Sequence, residues 1–286
     1  MGAFRKMKNL GYYNGRYDLI ENMTVPMNDR ACFFGDGIYE AVYARNRKIY
    51  ALDEHLDRFY DSAALLDIVI PHTKDELRSI IDELIFKVDD HELLIYFQVS
   101  RGTEMRNHAP AKDLVGNMWI TIKPAKLRDC YLPAKLITFP DTRFYHCNMK
   151  TLNLLPSVLA SKAAAEAGAD EAVFHRGETV TECAHSNLFI IKDGILRTAP
   201  ADNMILAGVA RAHLIAAAEK LGIPCLEKHF TLSEMMDADE IIITASGTLC
   251  RPAHDIDGHA VGGRSEALLS ALREEVVNDF IRSTDI

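Results

Sequence analysis

The stretch FYHCNMKTLNLLPS, residues 144–157, places a single lysine, Lys150, where two kinds of pattern meet. Before Lys150 the residues are typical of a β-strand, and after it the chain enters the alanine-rich segment 158–169, which is typical of a helix. An amine among apolar neighbours is costly to bury unless it is paired, neutralised or covalently used. Spacing alone leaves two interpretations open: a surface lysine on a loop, or a Schiff-base lysine kept neutral in a dry pocket.

Composition and charge are those of a globular protein. The 286 residues suffice for one large domain or two ordinary ones, and 48% are hydrophobic. The net charge of −9 and the lack of basic clusters argue against nucleic acid as a partner. Because no apolar run approaches a membrane span and the N-terminal stretch lacks an apolar signal core, we expect no membrane partner.

The cysteines follow no metal-binding or disulfide pattern. No two form a CxxC pair, and no Cys/His set has zinc spacing. We therefore expect no metal site, and a reduced cytoplasmic protein with buried thiols. The six are Cys32, Cys130, Cys147, Cys183, Cys225 and Cys250.

The first part of the chain predicts a small α+β domain over residues 1–122, followed by a linker over 123–133 that contains two prolines. Asn14-Gly15 predicts a hairpin within 10–17. Asp53 is expected to cap one helix, and Thr73 with Glu76 form the capping box of another. The segments 92–100 and 117–123 are rich in β-branched and aromatic residues, which favours strands.

Residues 134–286 predict a larger domain, so the expected fold class is α+β, a mixed α/β chain with two domains. A strand at 134–139 precedes the stretch around Lys150. A meander is expected over 171–175, 179–181, 188–191 and 195–198, with turns between these strands. A helix over 209–221 ends at Gly222 and Pro224, a strand follows at 240–244, and an amphipathic helix covers 265–281.

Few residues stand out as chemical candidates, because no phosphate-binding loop, dinucleotide fingerprint or nucleophile elbow is present. Glu182 ends a strand, where it is either an ordinary solvated carboxylate or a group that holds a proton on a ring nitrogen. Gly208 precedes the helix that starts at Val209 or Ala210, and a helix N-terminus can bind a phosphate. Arg106 and His108 follow a strand directly and would suit a carboxylate.

Five motifs occur together in order and carry a family resemblance. They are FGDGIYE (34–40), EHLDRFY (54–60), CNMKTLNLL (147–155), ETVTECAHSNLF (178–189) and DNMILAGVAR (202–211). Together they resemble the fold type IV pyridoxal-phosphate-dependent transaminases, and most of all the bacterial members that act on D-amino acids. The resemblance implies the fold type IV architecture: a small α+β domain, and a larger one with a β-meander or pseudo-barrel flanked by helices.

The resemblance also implies roles for individual residues. Lys150 matches the catalytic lysine that bonds to the cofactor pyridoxal 5′-phosphate, and Glu182 matches the carboxylate facing the pyridine nitrogen. The matched cofactor-binding set is Lys150, Arg58, Glu182, Leu206, Gly208, Val209, Ala210, Ser246 and Gly247. The group matched to the substrate α-carboxylate is Tyr39, Arg106 and His108, and this Arg-x-His pair is the main indication of D substrates.

Five positions depart from the family pattern, among them Tyr145 and His146 just before Lys150. Ala210 and Ala245 stand where hydroxyl residues are common, so we expect backbone N–H groups, Arg58 and Ser246 to hold the phosphate instead. His185 replaces a small residue near the cofactor face.

The function expected from the resemblance is ping-pong transamination between D-amino acids and 2-oxo acids, with D-alanine and 2-oxoglutarate giving pyruvate and D-glutamate. The alternatives within the same fold are a branched-chain L-amino acid transaminase and an aminodeoxychorismate lyase. An alternative of another class is a non-catalytic, cofactor-carrying protein. The resemblance also implies a homodimer.

Overall fold

The structure, a computed structural model, describes residues 6–285. Its contacts divide these residues into two compact units. The first unit comprises 6–126, 149–153 and 283–285, and the second comprises 127–148 and 154–282. The division expected from the sequence, 1–122, 123–133 and 134–286, stays a prediction. By contacts, the short segment that carries Lys150 belongs with the first unit.

The first unit is built on a six-stranded antiparallel sheet covered by helices. Its strands are β1 (Leu10–Tyr13), β2 (Arg16–Asp18), β3 (Gly37–Arg45), β4 (Lys48–Ile49), β5 (Leu93–Ser100) and β6 (Asn117–Pro124), in the order β2-β1-β6-β5-β3-β4. Its helices are α1 (Arg30–Phe34), α2 (Leu52–Leu65) and α3 (Lys74–Ile85), with a 3-10 turn at Ile20–Asn22. Phe59 and Ile81 of the helices pack into one core with Phe97 of the sheet.

Local sequence signals explain several boundaries in this unit. The hairpin at Asn14-Gly15 is confirmed, and both residues have positive φ angles, of 44° and 88°. The capping box of Thr73 and Glu76 is also confirmed. The prediction for Asp53 is wrong, because α2 begins at Leu52 with Ala51 as its N-cap. Asp53 lies in the first turn instead, where a carboxylate still favours the positive end of the helix dipole.

The second unit contains a nine-stranded mixed sheet. Its strands are β7 (Ala134–Pro140), β8 (Glu171–Arg176), β9 (Thr179–Cys183), β10 (Asn187–Lys192), β11 (Ile195–Thr198), β12 (Cys225–Glu227), β13 (Glu240–Ala245), β14 (Leu249–Ile256) and β15 (His259–Ala260). The helices are α4 (Leu155–Glu166), α5 (Val209–Lys220), α6 (Leu232–Met236) and α7 (Glu266–Thr284). The last residues of α7 are counted with the first unit.

The four strands of the predicted meander are present, but they are not consecutive neighbours in the sheet. Strands β8 and β9 form one hairpin, and β10 and β11 form another. In the path β12-β11-β10-β13-β14-β7-β8-β9, three strands separate the two hairpins, and β15 pairs with β14. The turn at 184–186 joins β9 to β10 in sequence. The mixed α/β class and the helix-flanked, curled sheet agree with the expected fold.

The strand predicted directly before Lys150 is wrong. Strand β7 ends at Pro140, and residues 141–150 are irregular. The side chain of Asp141 accepts a hydrogen bond from the backbone N–H of Arg143 at 3.0 Å, and such a local bond competes with a strand ladder. Helix α4 then starts at Leu155 with Pro156 in its first turn, a position that tolerates the missing N–H.

Two further observations concern the expectations from composition. No helix in residues 6–285 is long and apolar enough to cross a membrane. All six thiols are free; Cys130, Cys183 and Cys250 are buried, whereas Cys32 is exposed.

Candidate active site

Strand β3 fixes the backbone of Lys150. The N–H of Tyr39 donates to the carbonyl of Lys150 at 2.9 Å, and the N–H of Leu152 donates to the carbonyl of Gly37 at 3.0 Å. Gly37 is required for this approach, because a Cβ there would lie 2.7 Å from Leu152 Cδ1 and 2.5 Å from the Val99 carbonyl. The irregular segment 149–153 is therefore held beside a regular strand.

The amine of Lys150 lies over an aromatic ring. Its Nζ is 4.3 Å from the ring centroid of Tyr39, which allows a cation–π contact. The Tyr39 ring in turn stacks on Tyr96, with centroids 5.5 Å apart and planes inclined by 24°. Lys150 is half-buried, so its amine is accessible to a ligand while its surroundings limit its freedom.

A buried ionic network lies next along the same strand. The Glu40 side chain is fully buried and accepts from Nε and Nη2 of Arg58 at 2.7 and 2.8 Å, while its Oε2 lies 2.7 Å from His55 Nδ1. Burial raises the pKa of Glu40, but the charge of Arg58 and hydrogen bonds from His55 and Arg58 outweigh it and lower the pKa to about 2. Burial lowers the pKa of His55, and the charges of Arg58 and Lys150 act in the same direction.

Arg106 and His108 lie on an exposed, irregular segment after β5. Both contact the ring of Phe34: the Arg106 Cζ is 5.1 Å from its centroid and the imidazole of His108 is 5.3 Å away. Within residues 6–285, neither side chain has a hydrogen bond, ion pair or ring contact with Tyr39. The structure thus places Lys150 with Tyr39, and Arg106 with His108, as two separate pairs in the first unit.

In the second unit, Glu182 ends β9 and is surrounded by donors. Arg143 Nη1 donates to its Oε1 at 2.5 Å, and Asn187 Nδ2 donates to its Oε2 at 2.9 Å. The backbone N–H of Leu206 lies 3.2 and 3.1 Å from the two oxygens. A carboxylate, which accepts only, can satisfy all of these donors at once.

Arg143 connects Glu182 to a second buried acid. The guanidinium bonds Asp141 through Nε at 3.0 Å and Nη2 at 2.9 Å, and Arg176 also bonds Asp141, at 3.1 Å. Burial lowers the pKa of Arg143, but Asp141 and Glu182 outweigh it and hold the pKa above its usual value. Arg143 therefore remains charged and fixes the orientation of Glu182.

Asn187 also joins Glu182 to the start of α5. Its Nδ2 donates to the Leu206 carbonyl at 2.8 Å, and a Cβ on Gly208 would lie only 2.0 Å from its Oδ1. Gly208 is the N-cap of α5 and provides no side-chain cap, while Val209 and Ala210 are buried in the first turn. A buried helix start without a side-chain cap is suited to an anion.

The segment that contains Ser246 and Gly247 is the turn between β13 and β14, and α5 packs against both strands. The Gly247 carbonyl accepts from the N–H of Arg128 at 2.9 Å. On either side of this segment, the hydroxyls of Thr244 and Thr248 are buried and have no hydrogen-bond partner in the described part of the chain. His185 lies in the turn between β9 and β10, where its Nδ1 is 3.1 Å from the buried Glu171.

Sequence reasoning missed the partners of these residues. Glu40 carried a usable signal, since it is a lone acid on a strand of apolar neighbours, GIYEAVYAR, and must therefore be paired if buried. His55 and Arg58, three residues apart on α2, are natural partners for it. Arg143 and Asn187 carried no such signal. Among residues 6–285 no cluster of His, Cys, Asp and Glu is arranged to bind a metal.

Comparison with known proteins identifies the family of the chain. Residues 37–256 match the family described as Amino-transferase class IV, and the chain belongs to this family. It is similar to the D-alanine aminotransferase of Listeria monocytogenes serotype 4b (strain F2365), with 40% identity covering 92% of this chain and 93% of that one. It is also similar to the D-alanine aminotransferase of Staphylococcus haemolyticus, at 34% identity over 95% and 98% of the two chains.

Solved structures share the fold at lower identity. The branched-chain amino acid aminotransferase of Escherichia coli superposes with a TM-score of 0.88 and 22% identity, covering 98% of this chain and 97% of that one. A branched-chain amino acid aminotransferase from T.th., solved with pyridoxamine 5′-phosphate, has a TM-score of 0.86 and 24% identity, covering 98% and 95%.

Proposed function

We propose that the chain is a D-amino acid transaminase that uses pyridoxal 5′-phosphate and converts D-alanine and 2-oxoglutarate into pyruvate and D-glutamate. The observation that carries this proposal is the 40% identity, over 92% of the chain, to a protein named D-alanine aminotransferase. The neighbours named for branched-chain substrates are 22–24% identical, so they support the fold and not a substrate.

The residues at the start of α5 and in the turn between β13 and β14 suit the phosphate group of the cofactor. The uncapped start of α5 at Gly208 and the buried, unpartnered hydroxyls of Thr244 and Thr248 suit a phosphate, in a region where Ala210 and Ala245 lack hydroxyls. Arg58, Ser246 and Gly247 would complete the phosphate contacts, and Leu206 would pack on the ring. When bound, the cofactor supplies an electron sink for the carbanion formed at the substrate Cα.

Lys150 would hold the cofactor aldehyde through Nζ until the substrate amine takes its place at that carbon. The freed Nζ would then act as the general base that takes the proton from the substrate Cα. Two features prepare it for this role. Its backbone is bonded to β3, and its Nζ lies 4.3 Å from the Tyr39 ring, which favours a defined position of the amine. Glu182, oriented by Arg143 and Asn187, would hold a proton on the cofactor's ring nitrogen.

Selectivity for D-amino acids would follow from the position of the carboxylate. One lysine can take only a proton that points toward it, so the side on which the carboxylate is bound decides which enantiomer reacts. Arg106 and His108 offer two basic groups one residue apart, and Tyr39 offers a hydroxyl, for this carboxylate.

The test is a panel of D- and L-amino acids assayed with 2-oxoglutarate and with pyruvate as acceptors. We expect kcat/KM for D-alanine to exceed that for L-leucine by ~100-fold or more, which corresponds to about 3 kcal/mol of discrimination. The same panel run on Lys150→Ala controls for contaminating transaminases. Faster turnover of L-leucine than of D-alanine would assign the chain to the branched-chain group instead.

A homodimer and a cytoplasmic location form part of the same proposal. Helix α4 exposes Leu155, Val158 and Leu159 on one face, with exposed fractions of 69%, 58% and 51%. An exposed apolar stripe of this kind favours burial against another chain. The six free thiols suit a reducing compartment. Light scattering of the purified protein tests the dimer, and a monomeric mass would contradict it.

A further inference from the structure

We propose that Arg30 is a positioning residue that fixes the segment 104–108 and thereby sets the affinity for the substrate α-carboxylate. This inference rests on the proposed function, in which Arg106 and His108 of that segment bind the carboxylate. Arg30 itself touches no substrate in this proposal and acts only through the segment.

The guanidinium of Arg30 is buried and directed at the segment. Arg30 begins α1, and its side chain is only 4% exposed. Its Nη1 donates to the Asn107 carbonyl at 2.7 Å and to Glu104 Oε1 at 2.5 Å, and its Nη2 donates to the His108 carbonyl at 3.1 Å. Two consecutive carbonyls of an exposed segment are therefore held by one buried, charged donor.

The cost of burying this cation is offset locally. Arg30 Nε donates to Asp36 Oδ2 at 2.7 Å, and Asp36 also accepts from Arg101. Burial lowers the pKa of Arg30, but Asp36 and Glu104 outweigh it, so the group stays charged. A buried ion whose hydrogen bonds are satisfied on several sides has a fixed position, which is what an anchor requires.

The same helix provides a second contact with the carboxylate-binding side chains. The ring of Phe34 lies 4.9 Å from Arg30 Cζ, 5.1 Å from Arg106 Cζ and 5.3 Å from the His108 ring. One aromatic ring is thus shared by the anchor and by both residues that it positions.

The segment depends on these contacts because it is not held by the backbone hydrogen bonds of a helix or a sheet. Residues 104–108 form no helix or strand. Glu104 is also bonded through its N–H to the Asn28 carbonyl at 3.2 Å and through Oε2 to the Ala111 N–H at 3.3 Å. Beyond Glu104, the Arg30 guanidinium holds the backbone of the segment through the carbonyls of Asn107 and His108.

The experiment compares Arg30→Lys with Arg101→Lys in the cofactor-loaded enzyme. Lysine keeps the charge but has no planar fork, so it cannot hold two carbonyls and two carboxylates together. For Arg30→Lys we expect the KM for D-alanine to rise about tenfold or more while kcat changes by less than about threefold. Arg101→Lys perturbs the same Asp36 but none of the carbonyls of the segment, so its KM should stay within about twofold.

A second readout does not involve turnover. Trypsin binds its substrate in an extended conformation, so cleavage after Arg106 should speed up when the backbone of the segment is released from its anchor. The rate of cleavage at 106–107, identified by mass spectrometry, therefore reports on the anchoring of the segment. We expect this rate to rise by about tenfold in Arg30→Lys and to stay unchanged in Arg101→Lys. Equal cleavage rates in the wild type and Arg30→Lys would overturn the proposal.

A double-variant cycle separates this inference from the proposed function. If Arg106→Leu leaves the KM for D-alanine unchanged, the carboxylate-binding role of the segment is wrong. If Arg106→Leu raises KM while Arg30→Lys does not, or if the two effects multiply fully in the double variant, Arg30 does not act through Arg106. Should Arg30→Lys fail to fold, Glu104→Gln weakens the same anchor from its acceptor side and should shift KM and cleavage in the same direction.

Discussion

Replacing Glu40 by Gln should destabilise the first unit, because it removes the charge that compensates Arg58. The carboxylate is fully buried and bonded to both Arg58 and His55, and the Arg58 side chain is itself only 14% exposed. Glutamine keeps the volume and one acceptor oxygen but removes the negative charge that faces the Arg58 guanidinium. Removing one charge of a buried ion pair is costly because the other charge loses a close electrostatic interaction.

The lowered pKa of Glu40 gives the size of the expected loss in the free energy of unfolding. It falls from 4.5 to about 2 in the folded protein. At 1.36 kcal/mol for each pKa unit, the ionised form contributes about 3 kcal/mol to the free energy of unfolding at pH 7. Since the folded pKa is the lower one, this contribution is fully present above pH 4.5 and is lost as the pH falls toward 2. At pH 3.5 about 2 kcal/mol should remain.

The assay is urea unfolding followed by the fluorescence of Trp119. It is the only tryptophan in the chain and lies in β6, so it reports on the unit that contains Glu40. We expect Glu40→Gln to lose about 3 kcal/mol at pH 7 and about 2 kcal/mol at pH 3.5. Glu83→Gln is the control, because Glu83 is 70% exposed and its i,i+4 pair with Lys87 should contribute less than ~1 kcal/mol.

The reasoning would be refuted by a loss below ~1 kcal/mol at pH 7, the range of an exposed pair. It would also be refuted if the difference between the wild type and Glu40→Gln did not shrink between pH 7 and pH 3.5. The first result would mean that the desolvation cost of burying the two charges offsets the stabilisation from the Glu40–Arg58 ion pair. The second would mean that the pKa of Glu40 is not lowered in the folded protein.

Three further substitutions test the site. Lys150→Ala should lower kcat by ~10³-fold or more, as expected for loss of a general base that also binds the cofactor, and borohydride reduction followed by peptide mass spectrometry should find the adduct in residues 144–157 of the wild type and none in the variant. Arg106→Leu should raise the KM for D-alanine about tenfold or more, because the substrate carboxylate loses a charged partner. The Kd for pyridoxal 5′-phosphate, from fluorescence titration, should stay within about twofold. A larger change in Kd than in KM would count against the assignment of Arg106 to the carboxylate. Gly208→Ala places a Cβ 2.0 Å from Asn187 Oδ1, so the amide must move away from Glu182, and we expect the cofactor Kd to rise about tenfold; an unchanged Kd would show that Asn187 can adapt.

Features set by neighbouring residues could be predicted from the sequence. The turn at Asn14-Gly15 and the box of Thr73 and Glu76 each depend on a few adjacent residues, and both formed as expected. The irregular run before Lys150 was predicted as a strand, because its pattern of aromatic and apolar residues does not reveal that Asp141 bonds Arg143 and Arg176. The residues next to Asp141 in the chain give no indication that Arg176 is its partner.

In the candidate site, too, short motifs could be recognised in the sequence, whereas partners distant in the chain could not. The motifs point to Lys150 and Glu182 but not to Arg143 or Arg30. Arg143 bonds Glu182, 39 positions away, and Arg30 bonds Glu104, 74 positions away, in addition to acids nearer in the chain. Arginines of this kind look like surface residues in the sequence. Only the fold shows that they are buried, and a buried cation must find acceptors wherever the topology provides them.

The bonding of the Lys150 segment to β3 limits how the chain can be divided. Residues 149–153 belong by contacts with the first unit, although the residues on both sides belong to the second. A fragment that began after residue 126 would retain Lys150 but lose Tyr39 and Gly37, which fix its backbone. Exchanging the larger unit between relatives, as a cassette for protein engineering, would therefore have to bring β3 along with the lysine.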